Sequence, residues 1–256
     1  MSTGSVRIER PAAGVAHVVL DNPSSRNALT HGMFRRLAEL WQELEADRTV
    51  RVVMLSGEGD AAFCSGADLS AGLTETSGID DLVERALLKT TLFAKPIVAA
   101  INGHCVAGGL ELALAADIRI AWEDARIGLP EVRWGILPSG GAAMKLIDQI
   151  GHANAMDLLL SGRLIDGRKA ERIGLVNEAV PRSEVRQVAM ERAMEIAANS
   201  PAAVAATKTA ALAHRCAGYA KREAAERALV ARVRASGHWR VGIDAFLARH
   251  VPLYDD

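Results

Sequence analysis

GHCVAGGLELALAADIRIAWEDARIGLPE, residues 103–131, puts a glutamate inside an otherwise apolar segment, directly after paired glycines, and a second glutamate after Gly-Leu-Pro. Leu110, Leu112 and Leu114 surround Glu111. A helix that buries those leucines leaves the carboxylate no clean solvent face, and a buried carboxylate costs several kcal/mol unless it is hydrogen-bonded or neutralised by a raised pKa. Just upstream, residues 97–101 (IVAAI) form a continuous apolar run that enters a turn at Asn102-Gly103, and residues 118–122 (IRIAW) form another strand after the helix. Continuous apolar strands are those buried on both faces, so the order strand, turn, helix, strand predicts an α/β layered core.

Toward the N-terminus, residues 6–10 and 15–20 read as a hairpin turned around Pro11 and Gly14. Thr30 can cap a helix with Met33, Leu37, Leu40, Trp41 and Leu44 on one face and Arg36, Glu39 and Glu43 on the other. A strand at 50–55 ends at Gly57 and Gly59, a Gly-, Ser- and Thr-rich loop fills 61–81, and a helix over 81–93 stops at Lys95-Pro96. After Ser183 the pattern turns helical: Val185, Val188, Ala189, Ala193, Ile196 and Ala197 share a face, and Ser200-Pro201 starts a further helix. Residues 221–235 show one apolar stripe (Leu229, Val230, Val233), suited either to packing on the protein's own core or to an oligomer contact. The chain divides into a core over 1–195 and a helical region over 196–256.

With 256 residues, half of them hydrophobic, the chain can bury a full core without disulfides or metals. A formal net charge of −1 gives no overall field to hold nucleic acid or an anionic membrane, so neither is expected as a partner. Three cysteines, Cys64, Cys105 and Cys216, with no CxxC pair, suit buried thiols in a reducing compartment. No stretch has the form of a signal peptide or the length of a membrane span, and a cytoplasmic location is expected.

The chemistry gathers around the glycines. Ala107-Gly108-Gly109 opens a helix whose first amides have no internal partner, a place for an anion or a developing oxyanion. Ser65-Gly66-Ala67-Asp68-Leu69 can present the Ala67 amide as a second donor. Glu111 and Glu131, if they share a cavity, can divide acid and base duties because their environments push their pKa values apart. His104 lacks further ligands at metal spacing and reads as structural. Lys208, Lys221 and Arg222 suit either phosphate contacts or solvated helix faces.

FCSGADL, AINGHCVAGGLELALAADIRIA and GLPEVRWGILPSGGA, with SSRNALT, NSPAAVAATK and GIDAFLARHVP, together resemble the enoyl-CoA hydratase/isomerase (crotonase) superfamily along nearly the whole chain. The resemblance implies a crotonase-like α/β spiral of ββα units, followed by a C-terminal helical region that assembles trimers, often paired into hexamers. It implies an acyl-CoA thioester as substrate, with no metal or other cofactor. The Ala67 and Gly108 amides would hold the thioester oxygen. Ser25, Arg26 and Ala28, with Ala67, Asp68, Leu69, Ser70 and Gly108, would bind the CoA moiety. Relatives that add water keep glutamates at the positions of Glu111 and Glu131, which favours an enoyl-CoA hydratase of fatty acid metabolism, with Glu131 as main acid/base and Glu111 orienting the water. The same resemblance leaves open an isomerase, a lyase or hydrolase on a specialised acyl-CoA, and a non-catalytic acyl-CoA-binding protein.

Three residues depart from the family pattern. Ala107 stands where a glycine is common, a change expected to leave the Gly108 amide usable. Ser139 replaces a glycine and is expected to cap the following helix, the alternative being a hydroxyl in the substrate pocket. Trp134 replaces an aliphatic residue and either lines the acyl pocket or packs in the core.

Overall fold

The computed structural model describes residues 4–69 and 78–254. The chain opens with the hairpin β1 (Ser5–Ala12) and β2 (Val15–Asp21), antiparallel with Val6 opposite Leu20 and Ile8 opposite Val18. Thr30 caps α1 (His31–Ala46), its hydroxyl accepting the Met33 N–H at 3.3 Å, and the helix buries the face that its spacing predicts. Then follow β3 (Val52–Gly57), β4 (Ala62–Cys64), α2 (Ile79–Ala86), β5 (Ile97–Ile101), β6 (His104–Val106), α3 (Gly108–Ala113), β7 (Ile118–Trp122) and β8 (Ile127–Gly128). A 3-10 turn, Pro130–Trp134, leads to α4 (Ala142–Ser161), β9 (Leu164–Ile165), α5 (Gly167–Arg172), β10 (Glu178–Val180) and α6 (Val185–Ala197). Two helices close the chain, α7 (Pro201–Ala235) and α8 (His238–Leu247).

The strands sort into a six-stranded sheet, ordered β1-β2-β3-β5-β7-β10, and a four-stranded sheet, ordered β4-β6-β8-β9. From β3 to β8 the chain alternates between them, one strand to the large sheet and the next to the small one, and each circuit lands in parallel beside the last; β9 then adds antiparallel to β8 before β10 returns to the large sheet. This is a spiral, and its large sheet is covered on both faces. Val53, Leu55, Ile97, Ala99 and Ile101 point into the core shared with α1, while Val52, Met54, Val98, Ala100 and Ile120 pack against Val185, Ala189, Ala193 and Ala197 of α6. Two-sided burial is why these strands read as unbroken apolar runs rather than alternating ones.

Three expectations need correction. The strand expected at 50–55 is β3, two residues later, because Arg51 and Val52 first bond the Gly14 carbonyl as the chain enters the sheet. The loop expected over 61–81 contains β4, whose three residues are too few to show a period. The helix expected over 81–93 spans Ile79–Ala86: Leu88 adopts a left-handed φ of 48°, its carbonyl accepts Lys145 Nζ at 2.7 Å, and Lys89 turns inward. Tertiary partners override helical periodicity there.

In the C-terminal region Ser200 caps α7, accepting the Ala203 N–H at 3.4 Å, and the helix continues unbroken for 35 residues. Its predicted stripe splits: Val230 is buried and Leu229 is 46% exposed. Among the described residues no helix is long and apolar enough to cross a membrane.

Candidate active site

The three parallel strands of the small sheet deliver the three pieces of one site. Beyond the carboxyl end of β4 lies Ala67, beyond β6 lie Gly108 and Glu111, and beyond β8 lies Glu131. Neighbouring strand ends converge on one place although their sequences are tens of residues apart, the usual location of ligands in parallel sheets. They open into a cavity of about 170 Å³ lined by Ala67, Leu69, Gly108, Glu111 and Glu131, with walls from α1, α2, α7 and α8.

Close packing brings the two candidate amides together. Gly66, at φ 96°, has no room for a side chain: a Cβ there would lie 2.8 Å from Ala107 Cβ and 3.2 Å from the Gly108 nitrogen. A Cβ on Gly108 would lie 3.7 Å from the Ala67 nitrogen, so the two N–H groups are neighbours across that gap. A side chain on Gly109 would fall on the Cys64 carbonyl, and glycine alone lets α3 start so near β4. Among the described residues neither Ala67 N nor Gly108 N donates to a backbone carbonyl. Gly66 and Asp68 on either side are fixed by bonds to Leu29, Leu29 N to Gly66 O at 2.7 Å and Asp68 N to Leu29 O at 3.0 Å.

Ala107 holds φ 54° and ψ −130°, a conformation that L side chains rarely adopt. It is therefore a costlier substitute for glycine than the sequence suggests. Ala107→Gly should raise the unfolding free energy by about 1 kcal/mol, measured by urea denaturation; a variant no more stable than the parent removes the strain argument.

Glu111 is 5% exposed and Glu131 8%. Glu111 Oε1 accepts the Ala142 N–H at 3.2 Å, and the Gly140 amide also bonds this carboxyl. A Cβ on Gly140 would lie 2.5 Å from Glu111 Oε2, so any side chain there would displace the carboxyl. Burial pushes the Glu111 carboxyl up to about 7, against the pull of those two amides. Glu131 sits on the Pro130–Trp134 turn between buried Leu129 and Gly135, which closes the turn at φ 63°. Burial, and then the charge of Glu111, push its carboxyl well above the ordinary range. Its Oε2 is buried and has no protein donor among the described residues. The pair faces one cavity and resists holding two negative charges, so it retains a proton at pH values where ordinary carboxyls have lost theirs.

This has a stability consequence. Below about 4.5 Glu111 is protonated in folded and unfolded chains alike; between about 4.5 and 7 the unfolded chain ionises it and the folded chain does not. Its contribution to stability therefore falls as pH rises through that window and is level above it. Glu111→Gln should be no more stable than the parent near pH 4 and more stable by up to about 3 kcal/mol near pH 8, read from melting temperatures across the range. A pH-independent difference contradicts the assignment.

The other expected site residues are placed as follows. Ser25, Arg26 and Ala28 form a tight turn beside the Ala67 segment, with Ser65 N donating to Arg26 O at 3.1 Å and Ser65 Oγ to Ser25 O at 3.2 Å. Arg26 and Asn27 take left-handed φ values of 55° and 56°, and the Asn27 side chain locks the turn to the carbonyls of Glu58 and Ala62. Ser70 lies outside the described residues. Ser139 does not cap α4: the cap position is Gly141, at φ 118°, and Ser139 stands two residues too early to reach the first amides, lining the cavity instead. Trp134 both lines the cavity and packs, edge-on to Phe246 with ring centres 5.1 Å apart. His104 is structural in form, Nδ1 accepting the Arg126 N–H at 3.0 Å, and among the described residues no cluster of three metal-ligating side chains occurs. Lys208 is committed to Asp117 and to the Lys95 carbonyl, at 2.7 and 2.8 Å.

Several residues of the site carry no sign of that role in the sequence, Val230 and Val233 reading only as an apolar stripe. Val230, Val233 and Arg234 of α7 and Trp239 of α8 line the cavity from the helical region. Behind Glu111, Gly141 packs on Lys89, which is 3% exposed and ion-paired at 2.6 Å to both Glu223 and Glu226 of α7. Burial alone would lower the Lys89 ammonium, but these two partners outweigh it and hold it above its usual value. Burial and then Arg182, Arg26 and Arg126 lower the His104 imidazole, which marks a cationic patch beside the Ser25–Ala28 turn.

Known proteins resemble this chain over nearly its whole length. The sequence pattern of the enoyl-CoA hydratase/isomerase family matches residues 10–256. The chain is 38% identical to enoyl-CoA hydratase EchA19 of Mycobacterium tuberculosis over 197 residues, 74% of this chain and 73% of that one. It is 36% identical to the short-chain-enoyl-CoA hydratase of Clostridium acetobutylicum, covering 82% of each. Its fold superposes on the crystal structure of carnitinyl-CoA hydratase from Mycobacterium avium with a TM-score of 0.91 and 30% identity, covering 98% of both chains. With a crotonase fold in its coordinates and the family pattern running from Arg10 to the last residue, the chain belongs to the enoyl-CoA hydratase/isomerase family.

Proposed function

We propose that this protein is an enoyl-CoA hydratase, adding water across the α,β double bond of a 2-enoyl-CoA thioester to give the 3-hydroxyacyl-CoA. The observation that carries the reading is the pair of buried glutamates, both with raised pKa, facing one cavity beside two neighbouring amides. Relatives bearing hydratase names agree with it.

The Ala67 and Gly108 N–H groups receive the thioester oxygen. Negative charge arriving there is stabilised by dipoles already in place, an effect whose loss typically costs about 100- to 1,000-fold in rate. The β-carbon thereby becomes electrophilic. Glu111, its carboxyl fixed by the α4 turn, orients a water; Glu131, whose Oε2 has no protein donor among the described residues, takes the proton as the water oxygen bonds the β-carbon. A proton then passes from the glutamate pair to the α-carbon, so one water is added and no other group is consumed. A pair that keeps one shared proton near neutral pH has the acid and the base this sequence requires. Outside the cavity, Arg26 with Arg126 and Arg182 offers charge to the CoA phosphates. We assign the helices after Ser200 to oligomer assembly as a trimer or a dimer of trimers, and the core to residues 1–195.

The test is to mix the purified protein with crotonyl-CoA, follow the conjugated thioester absorbance and weigh the product. A gain of one water supports the reading. A shifted double bond at unchanged mass assigns an isomerase instead, and binding without turnover assigns a non-catalytic acyl-CoA carrier.

A further inference from the structure

Aromatic residues are scarce in this chain, 4% of the total, yet two of its four tryptophans and a phenylalanine line the one cavity that holds the glutamate pair. Phe34 reaches it from α1 and is fully buried; Trp134 comes from the turn that carries Glu131; Trp239 comes from α8. Both indoles are held in place by the protein. Trp134 stands edge-on against Phe246, and Trp239 donates its Nε1–H to the Arg234 carbonyl at 3.1 Å with the Arg240 guanidinium 4.6 Å from its ring centre. Rings already ordered lose little freedom when a ligand packs on them.

The size and a charged part of the wall narrow the ligand further. A cavity of about 170 Å³ is close to the roughly 150 Å³ of an apolar protein cavity that binds benzene. Asp80 of α2 and Arg234 of α7 also line it, joined by two hydrogen bonds of 2.8 and 2.6 Å. An alkyl chain that extends to this part of the wall strips water from the ion pair and gives it no hydrogen bond in return, a cost that a shorter acyl group avoids. A single flat ring fits within the volume and meets aromatic partners in the edge-on or offset arrangements they prefer, each adding about 0.5–1.5 kcal/mol to simple burial.

We propose that the acyl part of this cavity selects a β-aryl enoyl thioester, one ring carried on the double bond, and that Trp239 is the specificity-determining residue, with the Asp80–Arg234 pair excluding long chains. The inference rests on the acyl-CoA reading above, and it is tested without turnover. Calorimetric titration with three saturated thioesters, butanoyl-CoA, decanoyl-CoA and 3-phenylpropanoyl-CoA, should show the phenyl compound binding about 10-fold tighter than either of the others. Trp239→Leu should bring the phenyl-to-decanoyl ratio close to one, and Trp239→Phe should restore most of it. If Trp239→Leu does not fold, Trp134→Leu should weaken the same ratio. Decanoyl-CoA binding as tightly as the phenyl compound overturns the proposal, as does a ratio that survives both leucine variants. Ring selectivity in binding, with no water added to cinnamoyl-CoA or crotonyl-CoA, leaves this inference standing and overturns hydration alone.

Discussion

Glu131→Gln should lower kcat for hydration of a 2-enoyl-CoA by about 100- to 10,000-fold, the range for a positioned acid/base, with KM little changed. The amide keeps the size of the side chain on the Pro130–Trp134 turn and cannot exchange a proton with water. Glu131 Oε2 bonds no protein donor among the described residues, so the fold does not depend on it and the melting temperature should not fall. Glu111→Gln should lose less rate, because the Ala142 and Gly140 amides can still hold the remaining oxygen in place. Steady-state kinetics on the two variants decide the division of labour: equal losses would contradict a main and an assisting role, and a Glu131→Gln enzyme within tenfold of the parent would remove Glu131 from the chemistry.

The second large effect is on stability. Lys89→Met should cost about 3–5 kcal/mol, the penalty for leaving buried charge uncompensated. Glu223 retains Arg227 at 2.7 Å, but Glu226, 7% exposed, has no second cation paired with it among the described residues. For a chain of this length the loss corresponds to a fall in melting temperature on the order of 6–20 °C. Adding Glu226→Leu should recover part of it, since the orphaned carboxylate goes too. The single variant should also raise the Glu111 carboxyl further, because Lys89 is one of the charges that lower it. A Lys89→Met protein as stable as the parent would show that the Lys89 ion pairs add nothing to the hold on α7, which keeps its apolar contacts and its pairs from Lys208, Arg227 and Arg234.

What the sequence discloses depends on length and locality. The hairpin, α1, β5, β7, α6 and the start of α7 are legible because each buries a face or a run long enough to show its period, and because Thr30 and Ser200 occupy real cap positions. The small sheet is not: β4, β6, β8 and β9 have two or three residues each, and their pairing depends on the circuit of the large sheet. The site divides in the same way. Ala67, Gly108, Glu111 and Glu131 stand beside glycines and a proline whose backbone demands can be read locally, and the structure brings all four to one cavity. Arg234 and Trp239 reach it from about a hundred residues further on, within helices whose composition predicts only packing. Ser139 misleads because serine before a helix suggests a cap, whereas the helix begins after a glycine that only glycine's φ permits.

The cover that α6 provides also orders events during synthesis. Val15, Val52, Met54, Val98 and Ala100 are made early, yet the helix that shields them is not complete until Ala197, whose carbonyl accepts Arg51 Nη1 at 3.1 Å across 146 residues of sequence. Until then the Val15, Val52, Met54, Val98 and Ala100 side chains, apolar and mostly β-branched, have nothing to rest on. Truncation just before Val185 should accordingly yield insoluble protein, although both glutamates and both amides have already been made, and the nascent chain should need shielding until α6 is complete.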